Sequence, residues 1–169
     1  DDTFAQNGKF QQVLNNLAMP AHTPELVLIG RSGEGKTSLL QSLLCFPFPM
    51  VTVSRPVHIH LINNPKAKKP LLTLRKDLSV SPRISKDLEI TSLDHLSKEL
   101  LKRSNSKHLE QPIHLYFESN QVFGGTIIDT PGLDAFDWSE NNITKEQSRS
   151  RGIVYDIVSQ PHRYLLFVE

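Results

Sequence analysis

The sequence predicts an α/β fold, a three-layer sandwich with a mostly parallel central sheet, and two observations lead to this prediction. Short apolar runs at residues 26–29 and 126–128 end at a glycine or an aspartate, which is typical of strands buried on both faces of a parallel sheet. Stretches with a helical period follow in the chain, and alternating strands and helices favour a sheet covered by helices.

The composition is that of one globular domain. Of the 169 residues, 38% are hydrophobic, which is enough for a packed core. The 19 basic and 18 acidic residues give a formal charge of +1, so no overall field indicates nucleic acid or an anionic membrane as a partner. No apolar run approaches the roughly 18 residues of a membrane-spanning helix. The single cysteine, Cys45, is predicted to be a small buried side chain, which favours a reducing intracellular compartment.

The first predicted element is an amphipathic helix within residues 1–23. Its apolar positions follow the i, i+3, i+4, i+7 pattern: Phe10, Val13, Leu14 and Leu17. We expect this helix to pack against a domain formed by residues 24–169. Because the chain begins with Asp1 and stops directly after a predicted strand, we interpret it as part of a longer protein, with a domain that is incomplete at its C-terminus.

The domain is predicted to begin with a strand at 26–29, followed by a helix at 36–44. One stripe of that helix is apolar: Leu39, Leu40, Leu43 and Leu44. Residues 46–55 contain two prolines and no helical period, so we expect an extended loop there, leading to a strand near 56–62.

Residues 63–111 are long for a connection and are predicted to be an insertion with its own helix. Leucines at helical spacing indicate that helix: Leu93, Leu96, Leu100 and Leu101. Thr91 and Asp94 are the candidates to cap its start.

The rest of the domain is predicted to contain three strands and one helix. Residues 113–118 alternate apolar and polar side chains, which is typical of a half-exposed strand, and we expect it to be antiparallel and near an edge. A buried strand at 126–129 follows. The last helix has an apolar stripe and precedes a strand at 164–168; the stripe is Ile153, Val154, Ile157 and Val158.

The strongest functional signal is the pattern Gly-x-x-x-x-Gly-Lys-Thr at residues 30–37, directly after a predicted strand and before a leucine-rich helix. Glycines let the backbone wrap around phosphate oxygens, and the following helix adds the positive end of its dipole. Lys36 would reach the terminal phosphates, and Thr37 would give its hydroxyl to Mg²⁺. A glycine-rich turn that only joins strand to helix is the weaker alternative, because both flanks that the motif requires are present.

A second motif, Asp129-Thr130-Pro131-Gly132, follows the buried strand at 126–129. An aspartate at the end of such a strand holds Mg²⁺ through water, and the Gly132 N–H is placed to meet a γ-phosphate. Alone, this composition indicates only a turn. Downstream of a phosphate loop, it indicates a nucleotide site.

Together the two motifs resemble those of P-loop GTPases, in which the second begins a switch loop that senses the γ-phosphate. Lys36 and Asp129 lie 93 positions apart, so a large GTPase fits better than a minimal one. Residues 49–65 resemble the first switch and following strand of the dynamin family. Within that family, five segments are similar to the plant branch that acts in chloroplast division: residues 24–44, 46–48, 54–56, 127–133 and 165–169.

The resemblance implies roles for individual residues. The phosphates of GTP or GDP would contact Gly30, Arg31, Ser32, Gly33, Glu34, Gly35, Lys36, Thr37, Ser38, Asp129 and Gly132. Thr37, Thr52 and Asp129 would hold Mg²⁺, and the catalytic residues would be Lys36, Ser32 and Thr52.

Two departures from the family pattern bear on catalysis. Counting back from Arg55-Pro56, Val53 rather than Thr52 stands at the usual threonine position. Ser32 and Gly33 stand where many dynamins have a glutamine, which orients the attacking water, and a serine. The resemblance therefore implies nucleotide binding more strongly than fast hydrolysis.

The resemblance implies a GTPase that self-associates through this domain and meets a membrane through regions outside the chain. We accordingly expect a cytoplasmic protein that can be peripheral at an organelle membrane. Two alternatives stay open at this point: a catalytically weak or inactive nucleotide-binding scaffold, and an ATP-using P-loop enzyme, because the chain lacks the later Thr/Asn-Lys-x-Asp motif that selects guanine.

Three weaker features have mainly structural interpretations. His58 and His60 share one strand face and suggest a metal pair, but no third ligand has a suitable spacing, so a solvated or packed face is favoured. The basic stretch at 66–69 is favoured as a solvated loop over a lipid contact. Trp138 is interpreted either as a contact with a partner subunit or as a local anchor.

Overall fold

A computed structural model describes residues 23–80, 83–104, 106–122, 124–133 and 145–169, without the side chains of 146 and 147. Its elements in chain order are β1 (Glu25–Ile29), α1 (Lys36–Leu44), β2 (Val57–Asn63), β3 (Leu71–Leu74), β4 (Leu88–Ile90), α2 (Leu93–Ser104), β5 (Ile113–Ser119), β6 (Gly125–Asp129), α3 (Lys145–Val158) and β7 (Arg163–Phe167). The predicted N-terminal helix and Trp138 lie outside the described residues.

The described strands form one mixed sheet in the order β4-β3-β5-β2-β6-β1-β7. β1 is parallel to β6 and β7, and β2 is parallel to β5. The pairs β2–β6, β3–β4 and β3–β5 are antiparallel. Leucines of α1 and α2 enter one core cluster, whereas isoleucines of α3 enter a second one with Val27 and Ile128. The predicted α/β sandwich is therefore confirmed, with helices on both faces of the sheet.

The pairing of β1 with β6 brings the two sequence motifs together at one edge of the sheet, the one formed by the carboxyl ends of these two parallel strands. The strands run in the same direction, and their register places Leu28 beside Asp129. Because both strands end at this edge, the phosphate loop after β1 and the residues after β6 are neighbours. Ligands of open α/β sheets bind at such an edge.

The prediction that β5 lies near an edge strand of the sheet is wrong. β5 is an interior strand, because β2 pairs with one side of it and β3 with the other. Every second residue of β5 is buried and the others are half-buried, which is why the alternation indicated an exposed strand. The antiparallel part of the prediction holds only for the pairing with β3.

The insertion contains the predicted helix and two short strands that the prediction missed. Leu96 and Leu100 of α2 are buried, as expected, whereas Leu93 and Leu101 are exposed. The cap is neither Thr91 nor Asp94: the His95 N–H donates to the Ser92 hydroxyl at 3.1 Å.

Two details of α1 differ from the prediction. Leu40 and Leu44 are buried and Leu39 is partly buried, but Leu43 is 46% exposed, so the apolar stripe is narrower than expected. Cys45 is exposed rather than buried, because it follows the helix as its C-cap in the left-handed conformation, with φ of 48°.

The histidines of β2 belong to a packed strand face. The His60 ring stacks on the His114 ring of β5 at 5.2 Å between centroids and on Tyr116 at 4.9 Å. Nε2 of His60 and Nδ1 of His114 are 2.9 Å apart. Burial, followed by the neighbouring His114, lowers the pKa of His58 to about 4. The packed-face interpretation is confirmed.

The lysines of the 66–69 stretch, Lys66, Lys68 and Lys69, are exposed in a loop between β2 and β3, as the solvated-loop interpretation predicts. Among the described helices, none combines the length and the apolarity needed to cross a bilayer.

Candidate functional site

The phosphate loop between β1 and α1 has the backbone conformation that its glycines permit. Gly33 and Gly35 have φ of 84° and 93°, in the left-handed region that favours glycine. Gly35 is the N-cap of α1, no side chain caps the helix there, and its first turn has no acidic residue. The start of α1 can therefore present backbone N–H groups to an anion.

Gly30 is the point where three segments of the chain meet. A Cβ atom at Gly30 would lie 2.6 Å from the Val168 carbonyl oxygen, so only glycine fits. The Gly30 carbonyl accepts a hydrogen bond from the Leu133 N–H at 3.1 Å. The residue directly after the second motif is thus hydrogen-bonded to the phosphate loop.

Lys36 is held inside the loop. Its side chain is 8% exposed, and its Nζ atom donates to the carbonyl oxygens of Gly30 at 2.7 Å and Arg31 at 2.8 Å. These bonds fix the ammonium group at the start of α1 before any phosphate is present. Preorganised charge of this kind costs little reorganisation when an anion binds.

Asp129 is half-buried and has one buried carboxylate oxygen without a hydrogen-bond partner among the described residues. The residue ends β6, and its Oδ1 atom is enclosed without any partner among the described residues. Burial raises its pKa to about 6, although Lys36 opposes the shift. A buried polar atom with no partner is explained when a ligand or ion completes it. The Asp129 carboxylate and the Thr37 hydroxyl line the same cleft and offer the hard oxygen ligands that suit Mg²⁺.

We expect Asp129→Asn to stabilise the metal-free protein at pH 8 more than at pH 4. The folded-state pKa of about 6 lies above the ordinary aspartate value of 3.8, so the wild type loses stability as the pH rises from about 4 to about 6, where the Asp129 carboxylate becomes charged. The loss is on the order of 3 kcal/mol. Urea denaturation in a chelating buffer at both pH values measures the difference. An equal effect of the substitution at pH 4 and pH 8 would contradict the burial argument.

The two motifs and the first switch loop surround one cleft of about 260 Å³. Nine residues predicted to contact nucleotide or metal line it: Ser32, Gly33, Gly35, Lys36, Thr37, Ser38, Thr52, Asp129 and Gly132. Gly30, Arg31 and Glu34 lie in the loop but do not line this cleft. Instead, the Glu34 carboxylate accepts from the Arg31 N–H at 2.7 Å and so braces the loop from outside.

Thr52 and Val53 both line the cleft, so the structure brings either of them near the phosphate loop. Their burial differs, since Thr52 is exposed and Val53 is partly buried against the large core cluster. Thr52 is therefore the polar side chain that this loop can offer to a ligand.

Sequence reasoning gave no individual role to two polar residues that line the cleft, Arg55 and Thr130. Thr130 is buried, and its hydroxyl donates to the Leu28 carbonyl oxygen at 2.7 Å, which ties the second motif to β1. Only the position of Thr130 within the second motif could have indicated this role from the sequence.

Arg55 anchors the first switch loop to the insertion. Its guanidinium is 1% exposed, and Nη1 donates to Asp77 Oδ2 at 2.6 Å. It also donates to three backbone carbonyls, those of Arg103, Gln111 and Pro112. Burial would raise the pKa of Asp77, but hydrogen bonds from Ser79 and Arg55 outweigh it and lower that pKa.

A second contact strengthens this anchor. The Ser54 N–H donates to the Ser104 hydroxyl, at the end of α2, at 2.8 Å. The loop that lines the nucleotide cleft is therefore bound to α2 through two consecutive residues.

The comparison with known proteins points to one family. The model of the Dynamin family matches residues 26–165. Dynamin-like protein B of Dictyostelium discoideum is 29% identical over 136 residues, which cover 79% of this chain and 16% of that protein. Dynamin-like protein A of the same organism is 26% identical, covering 100% of this chain and 20% of that protein. Dynamin-related protein 5A of Arabidopsis thaliana is 32% identical, covering 86% and 19%. The chain thus spans a fifth or less of the length of these relatives.

Proposed function

This chain belongs to the dynamin family, and from that premise we propose that it binds GTP with Mg²⁺ and hydrolyses it to GDP and phosphate. One observation carries the proposal: the buried Lys36, the buried Oδ1 atom of Asp129 without a partner among the described residues, and an uncapped helix start converge on a single cleft. The lysine and the helix start complement the negative charge of a nucleoside triphosphate, and the carboxylate complements the positive charge of its metal ion.

The proposed mechanism is positioning and charge stabilisation, without a covalent intermediate on the protein. Lys36, held by the loop carbonyls, would direct its remaining N–H to the terminal phosphates, while N–H groups at the start of α1 hold the remaining phosphate oxygens. Thr37 and Asp129 would hold Mg²⁺, with Thr52 as the ligand from the first switch loop. When bound, Mg²⁺ would neutralise charge that develops on the phosphate oxygens.

Ser32 is the residue that we propose to orient the attacking water. It lines the cleft at the position where the family resemblance implies a glutamine. A serine hydroxyl is shorter than a glutamine amide and holds water less firmly, so we expect hydrolysis slower than in relatives that have the glutamine. The same absence of a glutamine at position 32 is the basis of the alternative in which the protein is a scaffold that binds nucleotide with little or no hydrolysis.

Single-turnover hydrolysis by the full-length protein tests the proposal. We expect γ-phosphate release from GTP that requires Mg²⁺ and exceeds the rate of a Lys36→Ala variant by at least about tenfold. A rate equal to that of the variant, with GTP binding retained, would favour the scaffold. Displacement of labelled GTP by an equal concentration of ATP would favour an ATP-using enzyme.

Self-association and membrane contact are proposals about the whole protein, since the chain spans a fifth or less of the length of the relatives that it matches. Family membership supports self-association through this domain, with the membrane met by other regions and the protein peripheral at an organelle membrane from the cytoplasmic side. The Arabidopsis relative is in keeping with the predicted similarity to a plant branch, and a role in organelle division stays a proposal.

A further inference from the structure

A second cavity, which we call the basic pocket, lies at the insertion and has a volume of about 310 Å³. It is lined by the end of β3 with the residues that follow, the end of α2 and the segment that leads into β5. Four cationic side chains and one acidic side chain line it: Arg55, Arg75, Lys76, Arg103 and Asp77. No family motif identified in the sequence accounts for this set.

Arg103 is the unusual member of the basic pocket. Its side chain is 1% exposed, and Nη1 donates to the Arg75 carbonyl oxygen. In the part of the chain that the structure describes, Nε and Nη2 have no hydrogen-bond partner, and the Glu99 carboxylate lies 3.7 Å from Nε. Burial lowers the pKa of Arg103, although the Glu99 and Asp77 carboxylates oppose the shift.

Arg103 and Asp129 each have a buried polar side-chain atom without a hydrogen-bond partner among the described residues. The only buried side-chain atoms without a partner in the described residues belong to these two side chains. At Asp129, the missing partner is explained by a cation in the nucleotide cleft. A buried cation without full compensation at a second cavity indicates, by the same reasoning, an anion.

The charges around the basic pocket favour an anion even when nearby acids outside the lining are included. Asp77 is paired with Arg55, Asp87 lies 3.9 Å from Arg75 Nε, and Glu99 approaches Arg103. Four cations thus face three carboxylates. His114, which also lines the pocket, has its pKa lowered by burial, by His60 and by the two nearby arginines Arg75 and Arg55, as expected where the local field is positive.

Arg75 is positioned at the pocket before any ligand arrives. Its guanidinium lies 5.4 Å from the centre of the Tyr116 ring, and Nη1 donates to the Tyr116 hydroxyl at 2.8 Å. Arg75 and Lys76 are exposed, whereas Arg55 and Arg103 are enclosed behind them. An arginine already fixed in place loses less entropy when it binds an anion.

We propose that the basic pocket binds a small phosphate-bearing anion, separate from the nucleotide in the main cleft. Arg75 and Lys76 contact the phosphate, and the enclosed charges of Arg103 and Arg55 attract it from behind. Guanidinium groups bind phosphate oxygens through paired hydrogen bonds, which favours phosphate over a simple halide. The volume lies at the small end of ligand pockets, so the ligand is a small molecule or a headgroup.

Pyrophosphate titration by calorimetry tests the proposal on the full-length protein carrying Lys36→Ala, which weakens phosphate binding at the nucleotide loop. We expect saturable binding that falls at least tenfold in affinity when Arg75→Gln and Lys76→Gln are added. The matched control is Lys68→Gln with Lys69→Gln, which removes two exposed charges outside the pocket and should leave the affinity unchanged. Both pairs of substitutions replace exposed cations, so neither pair is expected to change folding.

Two further arms identify the source of the phosphate. Vesicles of phosphatidylcholine with phosphatidic acid, compared with phosphatidylcholine alone, test a lipid headgroup with the same pair of variants. Loss of binding in the Arg75 and Lys76 variant, in solution or on vesicles, supports the pocket. The proposal is overturned if neither probe binds, if both variant pairs lose affinity equally, or if acetate at matched ionic strength competes as well as pyrophosphate.

Discussion

Lys36→Ala in the full-length protein is expected to lower GTP affinity by roughly 10- to 100-fold and to reduce GTP turnover at least as much. The estimate corresponds to the loss of hydrogen bonds from a charged donor, each worth about 1.5 to 3 kcal/mol. The Gly30 and Arg31 carbonyls already hold the ammonium group at the phosphate loop. Because the wild type spends little free energy on positioning this group, nearly the whole interaction with phosphate is lost when the side chain is removed. Equilibrium binding of a fluorescent GTP analogue and single-turnover phosphate release measure the two effects.

Lys98→Ala is the control for the loss of a lysine as such. Lys98 is 72% exposed on α2, where it pairs with Asp94 at 2.6 Å and has no contact with the cleft. This variant should bind and hydrolyse GTP like the wild type. If Lys36→Ala retained wild-type GTP affinity, the identification of the phosphate loop would be wrong.

Arg55→Met is expected to reduce the free energy of unfolding by about 3 to 5 kcal/mol, because removing one partner of a buried ion pair leaves the other charge buried. Arg55 is 1% exposed, and Asp77 is 8% exposed and accepts its hydrogen bond at 2.6 Å. Three backbone carbonyls would also lose their donor. Urea denaturation at neutral pH measures the change.

A double variant separates charge burial from simple loss of packing. Arg55→Met with Asp77→Leu removes both charges, so we expect it to be more stable than Arg55→Met alone. Arg75→Met is the matched control, because Arg75 is about half exposed and lies 3.9 Å from Asp87, an arrangement worth at most about 1 kcal/mol. A double variant that is less stable than Arg55→Met would show that Asp77 is not the residue left unpaired.

Local signals explain which parts of this fold can be predicted from sequence. β1, β6 and the loops after them are identified by short apolar runs that end in glycine or aspartate, and the parallel pairing places both loops at one edge. The period of α3 correctly predicts burial of Ile153, Val154 and Ile157. Seven of the nine predicted site residues that line the cleft belong to the two motifs, each of which is continuous in the chain.

The remaining structure depends on contacts between distant residues, which a single sequence does not reveal. β4 is three residues long and β3 four, so neither has enough residues to display a period. The interior position of β5 follows only from pairing with β3. The Arg55–Asp77 pair joins residues 22 positions apart, and the Ser54–Ser104 bond joins residues 50 apart. A buried arginine in a switch loop gives no local signal of its partners.

The exposed Cys45 makes this chain suited to site-specific labelling. It is the single cysteine of the sequence, and it caps the end of α1 opposite the phosphate loop. Nine helical residues separate the two ends by roughly 13 Å. A thiol-reactive fluorophore there would therefore sit outside the nucleotide cleft yet on the same rigid helix as Lys36 and Thr37. Where the rest of a longer protein has no exposed thiol, nucleotide arrival can be followed optically without any substitution in this domain.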